Sequence, residues 1–368
     1  MRRDSWAVLE CPRFCKPGAA HGSRSERCPV KTGLYEGTPY DFDSAPGGTT
    51  TTGVYSALPA PPPYSGYQRF ESLFTAPFLQ FGHSSCREQD PQARLEKRPF
   101  CHQIVFPRSG CFVCHQGRRE LVGEPGQVFF FAPHEPYTVS HPGGSDDCTW
   151  FAMHEMALRD ALEVHAPHLA QLDPLPFPVS CLTVDTRTFQ FAVLAEKLAR
   201  RGQSQDPFLI QELVLNVLDA TLAAAAAVGS RPRAESPTGR AHEEIVDAVR
   251  RLLVLNYREP IDLHRAAVAV HCSPFHLCRI FRARTGLTLH RYLVKLRLRA
   301  ALTDVLDPHV SLAELALRVG FSSHSHFTTA FTREFGLPPS LLRRDSNRAT
   351  LDEIANFLKA IPEIASLQ

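Results

Sequence analysis

Phe275, Cys278, Arg279 and Arg282 stand at i, i+3, i+4 and i+7, the spacing that aligns side chains along one face of an α-helix. Two arginines on such a face can hydrogen-bond base edges or phosphates, so a helix carrying them has the chemistry to enter a major groove. About fifty residues later, His324, Ser325, Thr328, Thr329 and Thr332 form a second stripe at helical spacing. That stripe is polar, and it is uncharged unless His324 protonates.

Other residue sets suggest other chemistry and argue against it by spacing. Cys111-Phe-Val-Cys114-His115 has the C-x-x-C-H form of a c-type haem attachment. It falls in an expected strand, where Cys111 and Cys114 point to opposite faces. A metal-dependent β-barrel enzyme would want His-x-His, an acid and a later histidine; His134, Glu135 and His141 do not have that spacing. Cys11, Cys15 and Cys28 have zinc-ligand chemistry but lie in a leader expected to be disordered. The reading of the cysteines is therefore free, partly buried thiols in a reducing compartment, with no metal and no cofactor.

The two helical stripes belong to a duplicated unit. The first copy reads Leu263-x-x-Ala266-Ala267, Ser273, then Leu277-x-x-x-Phe281-x-x-x-x-Gly286-Leu287. The second reads Leu312-x-x-Leu315-Ala316, Ser322, then Phe327-x-x-x-Phe331-x-x-x-x-Gly336-Leu337. Repeated apolar positions with repeated punctuation mark a repeated fold unit. Asp262 is expected to cap one short helix. Ser273 is expected to cap the next, with Pro274 at its first position and Gly286 ending it. In the second copy, Ser311 and Glu314 have the capping-box pattern, Gly320 ends the first helix, and Ser322 is expected to cap the second. Leu277, Ile280, Phe281 and Arg284 form the inward side of one reader; Phe327, Ala330, Phe331 and Phe335 form that of the other. Leu289 to Leu306, without glycine or proline, is expected to be the helix between them, about 27 Å long. Its Arg291, Lys295, Arg297 and Arg299 make it basic, and some of these are expected to meet phosphate.

At 368 residues the chain has room for about two domains. Residues 240–345 hold 16 Arg and Lys against 10 Asp and Glu, a net +6, and the remainder carries −4. A basic helical module joined to a mildly acidic body points to a phosphate-bearing partner. Residues 1–66, with Gly-Gly-Thr-Thr-Thr-Thr and Pro-Ala-Pro-Pro-Pro, lack the periodicity to offset their ordering entropy. From about Phe70 to Met153, short apolar runs alternate with Pro/Gly turns, suggesting a small barrel or jelly roll. Residues 186–228 turn helical. The apolar stretch Leu213 to Val228 carries Asn216 and Asp219 and falls short of the ~20 residues a membrane span needs. It is expected to be a buried or subunit-interface helix of a protein without a membrane segment or secretory signal.

The helical module resembles the C-terminal domain of the AraC/XylS family of bacterial transcription regulators. The residues carrying the resemblance are Ser273-Pro274-Phe275-His276-Leu277-x-Arg279-x-Phe281-Arg282 with Thr285-Gly286, and Tyr292-Leu293-x-x-x-Arg297-Leu298-x-x-Ala301. In the second unit they are Gly320-Phe321-Ser322, Ser325-His326-Phe327 and Phe331-x-Arg333-x-Phe335-Gly336-x-x-Pro339. About 100 residues are covered. The resemblance implies a seven-helix domain with two helix-turn-helix units. It implies that Phe275, Cys278 and Arg279 of the first unit, and His324, Ser325, Thr328 and Thr329 of the second, face bases. Arg282 and Thr332 are implied to face phosphate. Many relatives have a basic residue at the positions of Thr329 and Thr332, so the second reader is expected to add less affinity or to read a different base. His276 and His326 recur at one position and are read as packing residues. The β segment is similar to the cupin-like sensor half of the same family, through Val105-Phe106-Pro107-Arg108-Ser109-Gly110 and Pro125-Gly126-Gln127-Val128.

These readings give an α+β chain of two domains. A disordered leader spans residues 1–66 and a cupin-like sensor and dimerisation domain spans 67–228. A linker at 229–240 leads to the DNA-binding domain at 241–345 and a tail at 346–368. The function implied is a cytoplasmic, nucleoid-associated transcription regulator, a homodimer on promoter DNA that activates with RNA polymerase under a small-molecule effector. The alternatives are a regulator whose β domain only multimerises, and a metal-dependent cupin enzyme fused to a DNA-binding domain.

Overall fold

The computed structural model describes residues 58, 64–65, 68–99, 101–116, 119–133, 135–200, 207–230 and 237–348. Most of the expected leader, including Cys11, Cys15 and Cys28, lies outside the described residues, as do His134, the centre of the expected linker and residues 349–368.

The β part is two antiparallel sheets. The strands are β1 (Tyr64–Ser65), β2 (Gln68–Ala76), β3 (Leu79–Arg87), β4 (Leu95–Lys97), β5 (His102–Gly110), β6 (Phe112–Gln116), β7 (Arg119–Gly123), β8 (Gln127–Phe131), β9 (Tyr137–Ser140), β10 (Ser145–Met153) and β11 (Cys181–Thr183). One sheet has the order β1-β2-β3-β10-β5-β8-β11 and the other β4-β9-β6-β7. In the centre of the larger sheet, Phe151 stands opposite Phe81 on β3 and Ile104 on β5.

Strand alternation sorts the core into two layers. Phe151 and Met153 of β10, Ile104 and Phe106 of β5 and Val128 and Phe130 of β8 share one cluster with helical residues such as Leu158, Phe189 and Val193. Cys148 of β10 and Phe129 and Phe131 of β8 instead meet Phe112, Cys114 and Val139 between the sheets. The face with Ile104 and Phe106 thus looks toward helices, and that with Phe112 and Cys114 toward the larger sheet. Cys111 and Cys114 fall in different clusters and are both free, buried thiols.

Helices α1 (Glu155–His165), α2 (Pro167–Ala170), α3 (Thr186–Arg200) and α4 (Pro207–Gly229) follow β10. Helix α1 buries only Leu158 and Leu162, so the sequence offers little periodicity to announce it. Helix α4 corrects the expectation of length: Ile210–Gly229 is long and apolar enough to cross a membrane. Its Val214, Val217, Leu218, Leu222 and Ala225 are nevertheless buried, at the spacing of a helix packed along one stripe.

Among the described residues the C-terminal part has seven helices: α5 (Pro237–Asn256), α6 (Leu263–Ala269), α7 (Pro274–Thr285), α8 (Leu289–Val305), α9 (Leu312–Arg318), α10 (His324–Phe335) and α11 (Pro339–Arg348). Helix α5 begins inside the stretch read as linker from its Gly and Pro. Proline in a first helical turn loses no hydrogen bond, so its presence did not exclude a helix.

Candidate nucleic-acid interface

Each unit is built by local capping. Asp262 accepts the Arg265 N–H at 2.7 Å and starts α6; Ser273 accepts the His276 N–H at 3.2 Å and starts α7, with Pro274 at the first turn. Ser311 accepts the Glu314 N–H at 3.4 Å and starts α9. The cap of α10 corrects the expectation: it is Ser323, which accepts the His326 N–H at 3.2 Å, rather than Ser322. Two serines stand side by side, and which one caps depends on where the preceding turn releases the chain. Gly286 and Gly336 end α7 and α10 in the left-handed region.

The turns inside the two units are the same turn. Cys272 N–H bonds the Ala267 carbonyl at 3.1 Å, and Phe321 N–H bonds the Ala316 carbonyl at 2.9 Å. Against this frame Leu277, Ile280 and Phe281 are buried on α7, and Phe327, Ala330, Phe331 and Phe335 on α10. Arg284, read with the inward set, is exposed and reaches Glu243 at 3.5 Å and the Gly239 carbonyl at 2.7 Å on α5.

The outward residues separate into free and occupied. Phe275 is 81% exposed. Cys278, Arg279 and Arg282 are exposed, with Arg279 Nη2 3.3 Å from His276 Nδ1. On α10, His324, Ser325 and Thr329 are exposed, while Thr328 and Thr332 are half-buried. The Thr328 hydroxyl lies 3.4 Å from His324 Nε2, and the Thr332 hydroxyl donates to the Thr328 carbonyl at 2.8 Å. The proton of Thr332 is therefore spent on its own helix. The two histidines read as packing residues make ring contacts, His276 with His242 and His326 with Phe321.

Helix α8 spans 17 residues, about 25 Å at the helical rise. Three of its four basic residues are occupied within the protein. Lys295 pairs with Glu334 at 3.2 Å, and Arg297 bonds the carbonyls of Tyr257 at 2.6 Å and Glu259 at 2.9 Å. Arg299 is buried on the Val184 carbonyl at 3.2 Å. Arg291 alone of the four is exposed. The other cations face neighbouring elements invisible to helical periodicity.

Sequence reasoning missed the seam that joins the β part to these helices. Buried Glu124, in the turn between β7 and β8, receives Arg250 of α5 at 2.5 Å and the Tyr292 hydroxyl of α8, while Arg250 Nε lies 2.8 Å from that hydroxyl. Burial pushes the Tyr292 phenol up, with the Glu124 carboxylate adding to the shift. His115 beside Glu120, and Arg251 paired with it, outweigh burial and hold that carboxyl down at about 2. On the other side, Arg108 contacts Thr149 at 2.8 Å, Glu196 at 3.3 Å and Thr303 of α8 at 2.9 Å. Glu124 and Arg108 sit in stretches whose Pro and Gly residues read only as turns, so composition pointed elsewhere.

Residues 266–345 match a family model described as a helix-turn-helix domain. The bifunctional transcriptional activator/DNA repair enzyme AdaA of Bacillus subtilis (strain 168) is 29% identical over 103 residues, which cover 28% of this chain and 49% of that protein. The HTH-type transcriptional activator RhaR of Salmonella schwarzengrund (strain CVM19633) is 30% identical over 107 residues, covering 29% and 38%. The matches thus span about half or less of the relatives' own length. Among solved structures, an AraC-type DNA-binding regulator from Chromobacterium violaceum aligns over 30% of this chain and 98% of its own, with 24% identity and a TM-score of 0.28. ToxT from Vibrio cholerae aligns over 73% and 98%, with 10% identity and a TM-score of 0.29. The family model and the sequence relatives agree with the paired caps, turns and cores of the two units: residues 266–345 are similar to the helix-turn-helix domains of transcriptional activators.

Proposed function

We propose that this chain is a sequence-specific DNA-binding transcription regulator, an activator that works with RNA polymerase at promoters in the bacterial cytoplasm. The observation carrying the reading is the pair of equivalent helices, α7 and α10, whose cores and caps repeat while most of their outward residues stay exposed. Phe275, Cys278 and Arg279 read bases in one half-site; His324, Ser325, Thr328 and Thr329 read bases in the next. Arg282 holds phosphate. Thr332 reaches phosphate only by giving up its bond to the Thr328 carbonyl. An α8 spacer of about 25 Å is near the ~34 Å of one duplex turn, which suits two readers in successive grooves. The relatives' names describe activators, and this supports activation over repression.

The β domain, residues 67–228, is assigned to sensing and dimerisation, with residues 241–345 as the DNA-binding domain. One observation favours the second reading, a β domain that only multimerises. The space between the sheets holds Phe112, Phe129, Phe131 and Tyr137, with the last two rings stacked at 4.0 Å. An effector entering there would have to displace them.

Selection of bound duplexes from a random pool by the full chain tests the proposal. Enrichment of one motif, bipartite with half-sites about one turn apart, supports it. Recovery of unenriched sequence refutes it. Thermal stabilisation of the full chain by members of a small-molecule library separates a sensing β domain from a merely multimerising one.

A further inference from the structure

One buried cluster plays no part in either exposed face or in the seam. Cys86 on β3, His141 in the turn after β9 and Asp146 on β10 bring a sulfur, an imidazole nitrogen and a carboxylate oxygen within 4.8 Å of one another. Cys148 lies two residues along β10, on the same strand face as Asp146, and donates its S–H to Asp146 Oδ2 at 3.2 Å. All four residues are only 1–3% exposed. The fold makes this convergence: β3 and β10 pair antiparallel with Cys86 opposite Asp146. The Gly144 N–H donates to the His141 carbonyl at 2.8 Å, which turns His141 back over the same strand end.

We propose that Cys86, His141, Asp146 and Cys148 form a binding site for a dication of the Zn2+ class. The donor set is two sulfurs, one nitrogen and one carboxylate oxygen, which suits a tetrahedral borderline-soft metal. His141 Nε2 lies 3.0 Å from Asp146 Oδ1 and Cys148 Sγ 3.2 Å from Oδ2, so the imidazole, a thiol and both carboxylate oxygens converge on one buried point. A disulfide does not account for the cluster. Cys148 stands opposite Ser84, so the cysteines are a diagonal pair, with separations of roughly 7–8 Å, beyond ordinary disulfide reach. Binding exchanges two thiol protons, released to solvent, for two metal–sulfur bonds. Cys86, His141 and Asp146 already lie within mutual reach, and Cys148 completes the set by turning its sulfur from Asp146 Oδ2, which closes the site as structural or regulatory rather than catalytic. The turn it pins carries Gly143, where an added Cβ would lie 3.4 Å from Leu255 of α5. Occupancy therefore bears on the element that begins the DNA-reading domain.

The site is independent of the proposed function. It is tested with Co2+ alone, added to full-length protein that has been reduced and stripped with chelator and carries Cys11→Ser, Cys15→Ser and Cys28→Ser. The expected result is saturation at one equivalent, with a thiolate-to-cobalt charge-transfer band that Zn2+ abolishes. Cys86→Ser and Cys148→Ser should each weaken binding by more than the roughly 10–100-fold cost of losing an outer-shell partner. Cys101→Ser should leave it unchanged. Absence of the band in the protein with its four ligands intact overturns the proposal, whether or not the variants fold. So does a band of undiminished strength in Cys86→Ser or His141→Ala.

Discussion

His271 and Gly320 occupy the same turn position, 49 residues apart, and both have positive φ, 52° and 92°. Only Gly320 is demanded by space as well as by angle: an added Cβ would lie 2.8 Å from the Tyr257 carbonyl oxygen and 2.9 Å from that of Arg258. His271 is exposed and bears its left-handed backbone as a modest strain. Gly320→Ala should therefore cost more than about 2 kcal/mol, from strain plus overlap. His271→Gly should change stability by less than about 1 kcal/mol, because relieved strain is offset by greater freedom of the unfolded chain. Chemical denaturation of the two variants checks the asymmetry; equal losses would contradict it.

Arg279 and Arg282 should differ in kind. Arg279→Ala is expected to cost about 1–3 kcal/mol at the selected site and to relax preference at one base. Arg282→Ala should weaken binding evenly across sequences and reduce the salt slope by about one. Titrations against matched and single-mismatch duplexes at several salt concentrations decide between these roles. An even loss for Arg279→Ala would make it a phosphate contact instead.

Glu124 and Arg250 form the most buried charge pair across the seam. Glu124→Ala leaves buried Arg250 with only the half-buried Asp247 carboxylate, 3.2 Å away, and the expected loss is about 3 kcal/mol. Glu124→Leu with Arg250→Met should lose much less than the two single changes summed, because neither buried charge of the pair is then left without the other and only half-buried Asp247 loses a partner. A double-mutant cycle in urea measures the coupling; simple additivity would mean the pair does not act as a unit.

His83 and Glu196 should leave a pH signature. Burial disfavours the charged imidazole. The carboxylates of Asp147 on β10 and Glu196 on α3 outweigh it, against Arg200, and raise His83 to about 9. Its contribution is therefore complete below pH 6.5 and is lost as pH rises through about 9. Burial opposes ionisation of Glu196 too, but His83, Arg108 and Thr149 hold it at about 2. That contribution is complete above pH 4.5 and is lost as pH falls toward 2. The cluster should favour the folded state most between about pH 4.5 and 6.5. In His83→Gln, the decline in stability between pH 6.5 and 9 should shrink; a decline of unchanged depth would assign it to other groups.

The repeated unit was legible because its determinants are local. Ser273 caps a bond three residues away, Gly286 ends the helix it follows, and Leu277, Ile280 and Phe281 recur within one helix, so spacing alone carries the information. One local error, Ser322 for Ser323, came where two equivalent caps compete and only the preceding turn chooses. The basic residues of α8 were only partly legible, for a longer-range reason: Lys295, Arg297 and Arg299 are held by Glu334, Tyr257 and Val184, residues 39 to 115 positions away.

Sequence by itself determined the two reading helices and the residues on their outward faces, because helix periodicity and capping act over a few residues. Tertiary structure alone decided which of those residues remain free, which cations are buried in the seam, and that Cys86, His141, Asp146 and Cys148 meet. Those outcomes depend on strand register and domain packing, which bring together groups that no spacing along the chain relates.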